Sequence, residues 1–96
     1  MSAGAWHLYI MRCRNGALYT GITTDVERRM QQHQSGKGAR SLRGNPPEAV
    51  IFSAELENRS EASRLEYYVK RLSRSEKLAL TRRPESLHAL VPCEEH

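Results

Sequence analysis

The chain has 96 residues and a formal net charge of +4, from 15 Lys and Arg against 11 Asp and Glu. This length leaves room for one domain, and no apolar run could serve as a signal peptide or a membrane span, so we expect no membrane partner. Twelve of the cations are Arg, which suits phosphate contacts, although a solvated basic surface explains the charge equally well. Cys13 and Cys93 do not have the spacing of a metal site, so we expect reduced thiols in a cytoplasmic protein.

The first predicted elements are two strands joined by a tight turn. Trp6 to Cys13 is rich in aromatic and bulky apolar residues, as strands are. Asn15-Gly16 is a strong turn signal, and Ala17 to Thr23 forms the second strand. The pattern therefore predicts an antiparallel hairpin near the start of the chain.

The register of this hairpin decides whether Tyr9 and Tyr19 share a face of the sheet. A two-residue loop would place them on opposite faces, because paired residues share a face. A three-residue loop, residues 14–16, would set Tyr9 opposite Gly21 and bring both tyrosines onto one face. The sequence allows both registers. We favour the second because Gly16 suits its left-handed third position and because Gly21 would leave a gap beside Tyr9.

A helix follows the hairpin. Residues 24–27, Thr-Asp-Val-Glu, form a predicted capping box at its start, and Gly36 ends it. Arg29 and His33 are one turn apart and share a face of this helix, whereas Arg28 points about 100° away. Arg29 and His33 are therefore candidates for a common site.

A long loop and a third strand come next. Residues 35–47 contain three glycines, two prolines and three cations, Lys37, Arg40 and Arg43. The cations favour a phosphate-contacting loop, and a plain connector is the alternative. Glu48 to Leu56 is the third strand, whose apolar centre predicts a sheet that is covered on both faces.

The second predicted helix carries one carboxylate on its apolar side. Ser60 is its predicted cap, and its apolar stripe consists of Ala62, Leu65, Val69 and Leu72. Glu66 falls within this stripe, where a carboxylate needs either a metal ion or a salt bridge to Lys70 or an arginine. Residues 75–80 begin a short last helix, which stops before Pro84. We therefore expect an α/β domain with a small three-stranded, mainly antiparallel sheet flanked by helices.

Four elements in this order resemble the motifs of the GIY-YIG nuclease family. They are Tyr9 in His7-Leu8-Tyr9, the Tyr19-Thr20-Gly21 stretch, Arg29 and Glu66. His33 matches a histidine that some members carry one turn after the arginine. The resemblance covers about residues 6–80 of a single domain, 1–96, and is greatest to the short standalone bacterial members. His7 replaces the glycine and Thr20 the isoleucine of the family motifs, which leaves both tyrosines and Gly21 in place.

The resemblance implies a metal-dependent endonuclease that hydrolyses phosphodiester bonds in DNA, in DNA repair or the processing of branched or damaged DNA. Tyr9 would take a proton from the attacking water, and Arg29 would hold the scissile phosphate. Tyr19 would hydrogen-bond the phosphate or the nucleophile, and His33 would orient Tyr9 or the water, or assist proton transfer. Glu66 would bind a single Mg²⁺ or Mn²⁺ ion that keeps several waters.

Further contacts with the DNA are expected from Gly21, Arg28, Lys37, Arg40, Arg43 and Lys70. Two other interpretations remain open. One is a nucleic-acid-binding module with a nuclease fold and little or no cleavage activity, and the other is a protein-interaction adaptor whose basic surface is incidental. Metal-dependent nicking distinguishes the nuclease from the binding module, and salt-dependent DNA binding distinguishes the module from the adaptor.

Overall fold

The computed structural model describes residues 5–38, 40–42 and 44–90. Its strands are β1 (Trp6–Cys13), β2 (Leu18–Thr23) and β3 (Pro47–Leu56), and its helices are α1 (Val26–Gln34), α2 (Arg59–Lys70) and α3 (Arg74–Arg82). Short 3-10 turns occur at Arg40–Leu42, Pro84–Ser86 and His88–Leu90. The strands form one antiparallel sheet in the order β2-β1-β3, which confirms the predicted fold class.

The central strand β1 is buried on both of its faces. Leu8 and Ile10 point into the hydrophobic core, which α2 covers with residues such as Leu65. Tyr9 points to the opposite face, where α1 packs. The two helices thus cover the two faces of the sheet, as the sequence predicted. The edge strand β3 is less completely covered than β1, and its Val50 is 38% exposed.

The hairpin adopts the three-residue loop at residues 14–16. Gly16 has a φ angle of +90° at the third loop position, a conformation that glycine adopts without steric cost. Tyr9 pairs with Gly21, and Tyr19 lies on the same face as Tyr9. The structure thus confirms the favoured register and the shared face of the two tyrosines.

Two helix caps differ from those predicted. The cap of α1 is Asp25, whose side chain accepts the Arg28 backbone N–H at 3.1 Å, so the predicted box at residues 24–27 does not form. Asn58 caps α2 in place of the predicted Ser60. Neighbouring residues in both stretches are good caps, and the direction in which the chain leaves the preceding strand decides between them.

The segment between α1 and β3 is more ordered than a plain connector. It contains a 3-10 turn, and Leu42 within it is buried. The Asn45 side chain accepts the Asn15 backbone N–H at 2.9 Å and so ties the segment to the hairpin turn. This attachment holds the end of the segment against the hairpin turn. The predicted phosphate contact Arg43 lies outside the described residues.

The remaining predictions about cysteines and membranes are tested in part. Cys13 is a free, fully buried cysteine, and burial raises the pKa of its thiol, which makes it unreactive. Cys93 lies outside the described residues. In the described ranges, no helix is long and apolar enough to cross a membrane.

Candidate active site

The candidate site is built around the Tyr9 side chain, whose ring crosses the backbone of Gly21. A Cβ atom added at Gly21 would lie 2.7 Å from Cζ of Tyr9. Gly21 therefore does not leave an open gap, as the sequence suggested, because the tyrosine ring itself fills the space. The hydroxyl end of Tyr9 thus lies over the edge strand β2, and the side chain as a whole is buried.

His33 brings α1 into contact with the two tyrosines. Its Nε2 atom lies 3.2 Å from the hydroxyl oxygen of Tyr9, and its imidazole is fully buried. The ring of Tyr19 meets the imidazole edge-on, with centroids 5.2 Å apart, and the two tyrosine rings are 6.3 Å apart. The structure therefore brings together Tyr9, Tyr19 and His33, as the sequence predicted.

Arg29 lies beside this cluster and Arg28 does not. Arg29 is half-buried, and its guanidinium group lies close enough to the Tyr9 hydroxyl group to lower the pKa of the phenol. Its Nη1 atom donates to Oε1 of Gln32 at 2.9 Å. Arg28, one position along the helix, is exposed. Sequence reasoning missed Gln32, although its position one turn after Arg29 was a usable signal.

Burial controls the protonation of Tyr9 and His33. It raises the pKa of Tyr9 to about 12, mainly by desolvation, with Tyr19 and Glu66 acting in the same direction and Arg29 opposing them. It also lowers the pKa of His33, and the charge of Arg29 adds to this effect. At neutral pH Tyr9 is a phenol and His33 is a neutral imidazole. In the tautomer protonated at Nδ1, His33 accepts a hydrogen bond from Tyr9.

Gly38 is a site residue that the sequence analysis missed. A Cβ atom at this position would lie 2.7 Å from Cε1 and 2.9 Å from Cγ of His33, so the loop backbone packs directly on the imidazole. Gly36 serves a different purpose, since its φ angle of +83° accompanies the end of α1. The available signal was a second glycine two positions after the helix-ending one.

Glu66 lies at the border of the apolar stripe of α2. Its side chain is 23% exposed and pairs with the Nζ atom of Lys70 at 3.3 Å, and the Lys70 side chain is 53% exposed. Its negative charge is the smallest of the influences that raise the pKa of Tyr9. The structure thus contains the salt bridge that was one of the two sequence-based alternatives, in a solvent-accessible form that contributes about 0–1 kcal/mol.

Comparison with known proteins shows which protein family the chain belongs to. A family model described as the GIY-YIG catalytic domain matches residues 5–79. The chain belongs to the GIY-YIG family. A UPF0213 protein of Yersinia enterocolitica is 52% identical over 92 residues, which cover 95% of each chain.

Two solved structures share the fold of this GIY-YIG domain. The solution NMR structure of a UPF0213 protein from Bacillus halodurans has 38% identity and a TM-score of 0.53, and the match covers 94% of this chain and 99% of that one. A protein from E. faecalis, also solved by solution NMR, has 32% identity and a TM-score of 0.57, with 96% and 95% covered. The chain therefore has the nuclease-type fold of the GIY-YIG family.

The residue of this GIY-YIG domain predicted to bind a divalent ion is Glu66. Within residues 5–38, 40–42 and 44–90, no group of three or more His, Cys, Asp or Glu side chains could hold a metal ion. Mg²⁺ keeps several waters and is often bound through one or two carboxylates together with substrate phosphates, so a single carboxylate is compatible with an ion that the substrate helps to bind. Lys70 competes for this carboxylate, but its exposed side chain can turn into solvent.

The predicted DNA contacts take several positions around the site. Arg28 is exposed on α1, and Lys37 and Arg40 are exposed in the segment that follows it. Lys70 is on α2 beside Glu66, whereas Gly21 is covered by the ring of Tyr9. The exposed cations can meet the DNA backbone, but Gly21 acts by admitting the tyrosine.

Replacing Gly38 by alanine tests the packing on His33. The added methyl group must displace the imidazole or lift the loop, so we expect Gly38→Ala to lower the free energy of unfolding by about 1–3 kcal/mol and to reduce cleavage. Gly44→Ala is the matched control, because a Cβ atom there meets nothing within 4 Å. Thermal melting and cleavage assays on both variants decide this, and equal behaviour of the two would contradict the contact.

Proposed function

We propose that this protein is a divalent-metal-dependent endonuclease that hydrolyses phosphodiester bonds in DNA. The observation that carries the proposal is the buried Tyr9 hydroxyl group, which lies 3.2 Å from Nε2 of His33 and beside the half-buried guanidinium group of Arg29. A proton acceptor thus lies behind a phosphate-binding cation that is itself partly open to solvent. Family membership supports the reaction class.

In this proposal Tyr9 and His33 act as one base. Tyr9 is a phenol at neutral pH, so it cannot wait for the water as a free phenolate. As the hydroxyl oxygen of Tyr9 takes a proton from the attacking water, its own proton passes to Nε2 of His33. The resulting hydroxide attacks phosphorus, the leaving oxygen departs, and His33 holds the transferred proton as an imidazolium.

The other side chains bind the phosphate and support its charge. Arg29, oriented by Gln32, holds the oxygens of the scissile phosphate. Tyr19 packs against the imidazole edge-on and offers its hydroxyl group to the phosphate or the nucleophile. A divalent ion bound by Glu66 would polarise the phosphate and assist the leaving oxygen. Cations of α1 and the following segment contact the DNA backbone on either side.

DNA binding with little or no cleavage is the second candidate function. Two observations favour it: the pKa of Tyr9 is raised to about 12, and Glu66 already has a partner in Lys70. Because of the raised pKa, Tyr9 needs His33 to accept its proton. Because of the salt bridge, a metal ion must displace Lys70 from Glu66. A role in DNA repair, on branched or damaged DNA, is compatible with either function.

The experiment is incubation of the purified protein with labelled DNA and RNA of several forms, in Mg²⁺, Mn²⁺ or EDTA. We expect nicking of DNA in Mg²⁺ or Mn²⁺ and none in EDTA. Tyr9→Phe, which keeps the ring over Gly21, should abolish nicking while DNA binding remains. Binding without nicking under any condition would support the second candidate, and cleavage by Tyr9→Phe at the original rate would remove Tyr9 from the mechanism.

The dependence of cleavage on pH tests the shared base. His33 must be neutral to accept the proton, and its pKa is lowered from 6.5, so kcat/KM should rise with pH below 6.5 and be level at neutral pH. A free phenolate would instead require the rate to rise about tenfold per pH unit up to the pKa of Tyr9. A profile that still climbs through neutral pH would therefore exclude His33 as the proton acceptor.

A further inference from the structure

A groove lies beside the candidate active site, at the open end of the hairpin between β1 and β2. Its volume is about 270 Å³. The residues that matter for its chemistry are Trp6, Ile22, Asp25, Arg28, Arg29 and Gln32. None of the roles proposed above involves Trp6 or Ile22.

Arg29 connects this groove to the candidate active site. It lines the groove, and its guanidinium group also lies beside the Tyr9 hydroxyl group. A DNA chain whose phosphate is held by Arg29 therefore places an adjoining nucleotide at the mouth of the groove. Arg28 is exposed at the same groove, where it can meet the next phosphate.

The groove offers surface for a base beside the two arginines that can bind phosphates. Asp25 caps α1 by accepting the backbone N–H of Arg28 at 3.1 Å, so a carboxylate and not an anion site occupies the helix start. Trp6 and Ile22 supply apolar surface, and the Gln32 amide can hydrogen-bond the edge of a base. The volume is just below the ~300–1,000 Å³ of pockets for drug-sized ligands, as expected for one planar base.

The Trp6 side chain is fixed by contacts with other residues. The guanidinium group of Arg59 lies over its ring, 5.6 Å from the ring centroid, and the indole packs partly against the core. A fixed aromatic side chain is the usual platform on which single-stranded nucleic acids stack their bases. Here the platform adjoins the phosphate-binding arginine.

We propose that the groove binds an unpaired DNA base, stacked against Trp6, next to the phosphate held by Arg29. The proposal rests on the proposed function of the Tyr9 site. Because a base within a duplex is stacked and paired, only a nucleotide that is already unpaired enters without the cost of extrusion. The groove thus selects DNA that carries an unpaired nucleotide beside the scissile bond.

The test uses two duplexes in EDTA, one with a single unpaired thymidine and the other with an abasic residue at the same place. Binding is followed by anisotropy of a label on the DNA and by protein fluorescence, since Trp6 is the single tryptophan of the chain. We expect the wild-type protein to bind the thymidine duplex about 10-fold more tightly and its fluorescence to be quenched. Trp6→Leu should bind both duplexes equally, and Trp6→Phe should keep most of the preference.

Tyr67→Leu is the control, because Tyr67 is an exposed aromatic residue, 56% accessible, outside the groove. It should keep the full preference for the thymidine duplex. An undiminished preference in Trp6→Leu, or unchanged fluorescence at saturating DNA, would overturn the proposal. If the wild-type protein binds and cleaves both duplexes equally in Mg²⁺, the base-binding groove fails alone, whereas no binding to either duplex would also remove the proposed nuclease function.

Discussion

Glu66→Gln should abolish metal-dependent cleavage while DNA binding persists or becomes tighter. The amide keeps the shape of the side chain but is a much weaker ligand for Mg²⁺ than a carboxylate. The lost negative charge no longer repels the phosphate. Stability should change little, because the Glu66–Lys70 pair is accessible to solvent on both sides and contributes about 0–1 kcal/mol.

Lys70→Met distinguishes a metal-binding Glu66 from a purely structural one, which stability measurements alone do not. If Glu66 is the metal ligand, removing Lys70 frees the carboxylate, so the affinity for Mn²⁺ should stay the same or increase, while Glu66→Gln should lose it. If the pair is only a surface salt bridge, the two variants should behave alike. Titration calorimetry with Mn²⁺ measures this directly. Retained Mn²⁺ affinity and cleavage in Glu66→Gln would refute the metal-site assignment.

Arg29→Ala should reduce the cleavage rate about 10²–10³-fold, the usual cost of losing one preorganised stabiliser of the transition-state charge. The arginine touches the hydroxyl group of Tyr9 and lowers its pKa, so the variant also loses support for proton transfer. Arg29→Lys should recover little of the rate, since an ammonium group lacks the planar fork that binds phosphate.

Arg28→Ala is the matched control on the same helix. Arg28 is exposed on α1, so its loss should weaken DNA binding and leave the single-turnover rate nearly unchanged. Rates at saturating protein separate the two effects. Equal losses of rate in the two variants would show that the wrong face of α1 has been assigned to the site.

The features that the sequence predicted correctly depend on short stretches of chain. Gly16 at the third loop position favours one hairpin register, and that register alone puts Tyr9 and Tyr19 on one face. The period of the α-helix places Arg29 and His33 together without any knowledge of the sheet. Such local geometry acts over a few residues, so residue type and spacing are enough to reveal it.

Other features were decided by the tertiary structure, because they depend on segments that are distant in the sequence. The ring of Tyr9 crosses Gly21, its partner in the hairpin register, and the backbone at Gly38 covers His33 of the preceding helix. The predicted gap at Gly21 was wrong for this reason.

The position of Glu66 follows the same rule. Helical periodicity placed it in the apolar stripe of α2, but in the structure its carboxylate is 23% exposed and paired with Lys70. How far each position of a helix is buried depends on how the helix packs on the sheet, which no local pattern contains. The sequence by itself therefore determined which groups could form the site, and the packing of α1 on the sheet decided that His33 and Arg29 meet the tyrosines.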